Sequence, residues 1–168
     1  MRNQMRSEYT EVWNVDGEEI VGQQKVVFLP FKRVSSRAII IRRKDAAILG
    51  TLHRQGGRYA LPGGALEDGE STLDAVLREL EEENIYLVEP DKSLETTFAV
   101  DYFDGYGELS VWHFFPVDDA HVGESQENIE SRWISQDEDV WYPYMREKLL
   151  MEISRHLPRL AKKTIQTK

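Results

Sequence analysis

The chain contains no cysteine, which excludes disulfides, thiolate zinc sites, thiol nucleophiles and dithiol redox chemistry. Its histidines, His53, His113, His121 and His156, are scattered and nowhere repeat at metal-ligand spacing. No apolar run approaches the roughly 18 residues of a membrane span. No amino-terminal segment joins basic residues to a long apolar stretch and a small-residue cleavage site, so a cytoplasmic setting without a membrane anchor is the expectation. Positive charge is also short. Against 30 Asp and Glu stand 21 Lys and Arg, a formal net charge of −9. That argues against a nucleic-acid polymer as partner, because phosphate backbones are held mainly by Lys and Arg. A chain of this charge that handles phosphates needs metal cations to do so.

What is present suits one domain. A length of 168 residues with four Trp, seven Tyr and six Phe supplies a core for a single unit spanning 1–168, and is short for two. No repeat or Pro/Gly/Ser linker divides it. Residues 1–6 read as a loose end and 162–168 as a solvated basic tail.

Several segments read as strands. Val12 to Val15 and Gln24 to Leu29 flank a turn at Asp16-Gly17. Ser36 to Arg43 carries the continuous run Ala38-Ile39-Ile40-Ile41, which fits a strand buried on both faces. Ala46 to His53 is expected to pair with it through a turn at Lys44-Asp45. Leu94 to Phe103 and Glu108 to Val117 are aromatic and β-rich, joined at Asp104-Gly105-Tyr106-Gly107, and Ser131 to Ile134 forms a short last strand. Two segments read as helices. In the first, Leu73, Val76, Leu77 and Leu80 mark an apolar face; Ser71 is an N-cap with Asp74 in the place of a capping-box acid. The second runs from Trp141 to Leu160 with Leu149, Ile153, Leu157 and Leu160 on one stripe, interrupted late by Pro158. Strands alternating with two helices imply α/β or α+β architecture, with sheet packed between helices.

The most informative spacing is Gly64, five residues, Glu70, seven residues, then Arg78-Glu79-Leu80-Glu81-Glu82-Glu83. With about 100° per helical residue, Glu82 lies near −60° and Glu83 near +40° from Glu79, so the three acids share one face. Glu81 points elsewhere. These glutamates repel one another and sit at the carboxyl end of the helix, where the macrodipole disfavours negative charge. Arg78 offsets only part of that, which leaves a place for a hard divalent cation with oxygen ligands, Mg²⁺ or Mn²⁺. A Glu-rich helix is most often a solvated face, but Leu61-Pro62-Gly63-Gly64 precedes this one. Paired glycines let backbone approach a ligand closely and can present amides to an anion. Gly63 and Gly64 are therefore candidates for substrate binding.

At these residues the chain resembles the Nudix hydrolase family, whose signature is Gly, five residues, Glu, seven residues, Arg-Glu-apolar-any-Glu-Glu-any-Gly-apolar. Gly64, Glu70, Arg78, Glu79, Leu80, Glu82 and Glu83 fall in register. The family's last Gly position is Ile85 and its last apolar position Tyr86. A left-handed Asn84 that ends the helix one residue early would give Ile85 the apolar role. The resemblance implies a Nudix-like α/β/α sandwich with a mixed sheet. It also implies a metal-dependent pyrophosphohydrolase acting on a small nucleotide derivative such as a nucleotide sugar, ADP-ribose, a dinucleoside polyphosphate or a nucleoside triphosphate. By the same resemblance Glu79, Glu82 and Glu83 bind Mg²⁺ or Mn²⁺. Arg78 orients the acids by pairing with Glu70. The catalytic base is either one of the three acids, with Glu79 the candidate, or a carboxylate on a later loop; Glu124, Glu127 and Glu130 occupy such a loop, and Glu127 is the candidate there.

Selectivity lies outside the box. Tyr102, Phe103, Tyr106 and Trp112 could stack on a base, although such residues are more often core. Tyr102 matches the position of a Tyr seen downstream of the box in diadenosine polyphosphate hydrolases. No NADH-type Ser-Gln-Pro-Arg-Pro-Trp run occurs. Asn14-Val15-Asp16-Gly17 to Gly22 is similar to isopentenyl diphosphate isomerases, which share the fold but rely on a cysteine that this chain lacks. The remaining alternative is a nucleotide-sensing domain without catalysis, although such domains tend to lose box acids and all three are present here. The resemblance makes a homodimer plausible; Trp141, Tyr142 and Tyr144 serve either an interface or the packing of the last helix, with packing preferred.

Overall fold

The computed structural model describes the backbone of residues 5–9, 12–15, 18–21, 25–29, 31–90, 95–103 and 106–163, and side chains within 33–90, 109–143 and 145–156. In chain order the elements are β1 (Met5–Tyr9), β2 (Val12–Val15), β3 (Glu18–Val21), β4 (Lys25–Leu29), β5 (Phe31–Arg42), β6 (Ile48–His53), β7 (Tyr59–Ala60) and β8 (Gly63–Ala65). There follow α1 (Thr72–Glu82), β9 (Ile85–Val88), β10 (Glu95–Phe103), β11 (Tyr106–Val117), β12 (Asp119–Val122), β13 (Asn128–Ile134) and α2 (Pro143–Lys163). The central sheet is mixed, in the order β10-β11-β5-β6-β13, with β7 added to β6 and β8 to β5. Strands β5 and β11 run parallel, whereas their other pairings are antiparallel.

The apolar run of β5 is buried on both faces, as its composition predicts. Side chains alternate along a strand, so Ile39 and Ile41 pack with Trp112, Phe114, Ile134, Trp141, Met145, Leu149 and Ile153 on the α2 side. Ala38 and Ile40 pack with Val76, Leu80, Ile85, Phe115 and Val117 on the α1 side. One helix on each face gives the expected α/β/α sandwich. Among the described residues no helix is long and apolar enough to cross a membrane.

The structure corrects several expectations. The stripe on α1 is not Leu73, Val76, Leu77 and Leu80: Leu73 and Leu77 are 37% and 46% exposed, and Ala75 joins Val76 and Leu80 inside. The sheet meets α1 along a face rotated toward the acids, so Glu83 is buried together with Ala75, Val76 and Leu80. Pro158 does not interrupt α2, which continues to Lys163. Met5 and Arg6 belong to β1, paired with Leu29 and Phe28, and not to a loose end. Strands β3, β7, β8, β9 and β12 are additions, β5 starts earlier than Ser36, β13 starts earlier than Ser131, and Tyr106 and Gly107 open β11. The turns at Asp16-Gly17 and Asp104-Gly105, Leu94, residues 164–168 and the side chains of Leu157 and Leu160 lie outside the described residues.

Both ends of α1 form as their residues dictate. Ser71 Oγ accepts from the Asp74 N–H at 3.1 Å and donates to the Asp74 carboxylate at 2.6 Å. Asn84 adopts φ 55° and stops the helix, and Ile85 turns into the core at 3% exposure.

Candidate active site

Arg78 is the hub of the carboxylate face. Its Nε and Nη2 donate to the two oxygens of Glu70 at 2.9 and 3.1 Å, its Nη1 to Glu79 at 2.9 Å and Glu82 at 3.3 Å, and its Nη2 also to the Ala65 carbonyl at 3.0 Å. The fork-shaped guanidinium suits several carboxylates at once. The Glu70 pairing expected from the sequence is therefore present. It lowers the pKa of Glu70, with the Glu67 N–H, 3.0 Å from the carboxylate, adding to the effect. The same partners raise the pKa of Arg78.

The two glycines are used by the fold as much as by any ligand. Gly63 and Gly64 lie in β8 opposite Arg37 and Ser36 of β5. At Gly63 φ is +133°, and a Cβ would fall 2.2 Å from the Ser36 carbonyl oxygen. At Gly64 a Cβ would fall 2.3 Å from Glu79 Oε1. The first glycine lets the loop lie on β5; the second makes room for the Glu79 carboxylate. The Gly63 amide does face an anion, but it is internal: the N–H points to Glu83 Oε1 at 3.5 Å.

Glu83 is the least ordinary of the acids. It is 3% exposed, and its Oε2 has no hydrogen-bond partner among the described residues. Burial pushes its pKa up to about 7, the Gly63 amide and Arg37 oppose the rise, and the charges of Glu79 and Glu127 reinforce it. Burial, more than the crowding expected from the sequence, dominates. Glu82 is largely exposed at the rim. Among the described residues no three His, Asp or Glu side chains converge into a ready-made metal cage. The acids share a face, but Arg78 holds two of them and the interior holds the third.

Glu127 is exposed on the later loop, and its charge is a minor influence on both Glu83 and His53. Its carbonyl accepts from the Arg54 N–H at 3.1 Å. The same fields bring in Arg37 and His53, neither of them nominated from the sequence. Burial lowers the His53 pKa, and Arg37 lowers it further against the pull of Glu127. The only signal for Arg37 was its place at the edge of the β5 apolar run, where it reads as a strand boundary. Glu124 and Glu130 line a cleft of about 620 Å³ beside this loop with Arg54 and Asn128.

Of the aromatic candidates, Trp112 is core: it is fully buried on the α2 side, and its Nε1 donates to Ser110 Oγ at 2.9 Å. Trp141 is buried and Tyr142 packs beside it, as preferred above. The backbone of Tyr102 pairs with Gly107 in the β10-β11 ladder; the side chains of Tyr102, Phe103, Tyr106 and Tyr144 lie outside the described residues.

A family model described as the NUDIX domain matches residues 31–156. The uncharacterized Nudix hydrolase YvcI of Bacillus subtilis (strain 168) is 34% identical over 88 residues, 51% of this chain and 54% of that protein. The chain thus spans about half the length of the curated relative it matches. Among solved structures, the MutT protein from Methanosarcina mazei Go1 superposes with a TM-score of 0.60 at 20% identity, covering 74% of this chain and 94% of that one. A bifunctional NMN adenylyltransferase/ADP ribose pyrophosphatase from Francisella tularensis, complexed with AMP and Mn ion, superposes with a TM-score of 0.57 at 24% identity, covering 79% of this chain and 43% of that one.

Proposed function

The chain belongs to the Nudix family, and from that premise we propose that it is a divalent-metal-dependent pyrophosphohydrolase of a small nucleoside diphosphate derivative. The observation that carries this reading is Glu83, a buried carboxylate with one oxygen lacking a partner, on the same helix face as Glu79. A buried carboxylate oxygen without a donor is costly unless a cation or proton meets it. The donor set of hard oxygens fits Mg²⁺ or Mn²⁺, and the Mn ion bound with AMP in the Francisella protein supports the same choice. Glu79, Glu82 and Glu83 would hold the ion, which supplies positive charge for the diphosphate oxygens and makes water a usable nucleophile near neutral pH.

The chain's own residues do the rest. Arg78 keeps Glu79 and Glu82 oriented while Glu70 anchors it. The Glu127 carboxylate takes the proton of the attacking water as the water oxygen bonds to phosphorus. The bond from that phosphorus to the bridging oxygen breaks, and two phosphate-bearing products leave. Gly64 leaves the Glu79 carboxylate its space.

The test is a hydrolysis screen with Mg²⁺ or Mn²⁺ over ADP-ribose, diadenosine polyphosphates, nucleotide sugars and nucleoside triphosphates, with products identified. Turnover should need the metal and should fall at least about a hundredfold when Glu82→Gln and Glu83→Gln are combined. Undiminished turnover in that folded variant would sink the reading. Nucleotide affinity without turnover in the unmodified protein would favour the sensing domain.

A further inference from the structure

The turn that ends α1 falls on Asn84 because the usual glycine position is Ile85. Glycine reaches a left-handed φ most cheaply, and asparagine reaches it while adding an amide. Here the amide is engaged. Asn84 Nδ2 donates to the Glu124 carbonyl at 2.7 Å, and the Tyr86 hydroxyl donates to Asn84 Oδ1 at 3.4 Å. The backbone adds a bond from the Gly123 N–H to the Asn84 carbonyl at 2.8 Å. Gly123 packs so closely that a Cβ would lie 3.0 Å from the Asn84 Cβ. The far end of the same loop is tied to the end of β6, with Arg54 donating from its N–H to the Glu127 carbonyl at 3.1 Å and from Nε to the Gln126 carbonyl at 2.7 Å.

We propose that Asn84 is a positioning residue for the hydrolysis: it straps residues 123–127 to the carboxyl end of the acid-bearing helix and so holds in place the loop that carries Glu127. The role of Glu127 rests on the function proposed above; the strap itself rests on the hydrogen bonds. A simple helix stop would need only the backbone conformation, which glycine supplies. Asn84→Gly keeps that conformation and the Gly123 bond while deleting the amide. Asn84→Asp keeps the shape but replaces the donor with an acceptor facing the Glu124 carbonyl.

The experiment measures kcat and KM for Asn84→Gly, Asn84→Asp, Glu127→Gln and the double variant Asn84→Gly with Glu127→Gln, on whichever derivative the unmodified protein hydrolyses. Amide hydrogen exchange across residues 121–128 is followed in parallel. Both Asn84 variants should lower kcat by about tenfold or more, as expected for a misplaced catalytic group, with KM within about twofold and faster exchange in the loop. On the residual turnover of Glu127→Gln, adding Asn84→Gly should change nothing further, because the two residues act through one group. Normal kcat in Asn84→Gly with unchanged loop exchange overturns the proposal, as does full additivity in the double variant or normal turnover in Glu127→Gln. A protein that hydrolyses nothing in the screen fails the hydrolase reading instead; loop exchange then decides the strap alone, with unchanged exchange overturning it.

Discussion

The two faces of the central sheet are packed by different rules. Against α2, the core is large and aromatic, and its polar groups meet one another: the Leu61 N–H meets Met145 Sδ at 3.1 Å, Arg132 Nε meets the Tyr59 hydroxyl at 3.2 Å, and the buried Glu152 and His156 lie 3.5 Å apart. Against α1, the apolar cluster is smaller, and it is bordered by buried titratable groups, Glu83 and His113. His113 leans on the ring of Phe115 at 6.5 Å, and burial lowers its pKa. Both faces bury titratable groups; on the α2 side Glu152 and His156 face each other, whereas Glu83 on the α1 side keeps an oxygen without a partner among the described residues.

That contrast can be broken or sharpened at three places. The largest effect should come from the α2 face. Leu149→Ala should cost about 3–4 kcal/mol through lost burial and a cavity, read in denaturant unfolding, while the folded fraction keeps its kcat. A kcat loss in proportion to stability would erase the distinction between the faces.

A second effect, on the order of 3 kcal/mol, belongs to Glu83. Folded, it keeps its proton up to about pH 7; the ordinary value is 4.5. The folded state therefore binds more protons between those values, so the stability of metal-free protein should be greatest below about pH 4.5 from this group and fall as pH rises through 7. Glu83→Gln should flatten that slope in thermal melts across the range. An unaltered slope would mean that Glu83 is not the titrating group. The smallest effect is at the start of α1, where Ser71→Ala should cost about 1 kcal/mol by loss of the cap, with KM unchanged.

Much of this was legible in the residues. Ala38 to Ile41 announced a strand buried on both sides, and Ser71 and Asn84 marked the ends of α1, because these signals are local. The pairings that were missed have partners far along the chain: β9 joins β12, and β8 joins β5, and strands of two to four residues carry too little pattern to be seen alone. Reading α1 as an amphipathic helix misplaced Leu73 and Leu77, since that reading assigns charge to solvent and Glu83 defies it. Glu127 was visible only as a position in a late loop. What ties that loop down is the bond from Asn84 to the Glu124 carbonyl and from Arg54 to the Glu127 carbonyl, which no spacing encodes.

Glu79 shows what the Gly64 gap achieves. With its carboxylate seated over a glycine and held by Arg78, the side chain surrenders its rotamers when the protein folds. Freezing a glutamate costs up to about 2 kcal/mol in entropy. Here that loss is met once, by the folding of the chain, and it does not recur each time a ligand arrives. The orientation of Glu79 is thus set by the whole core behind it.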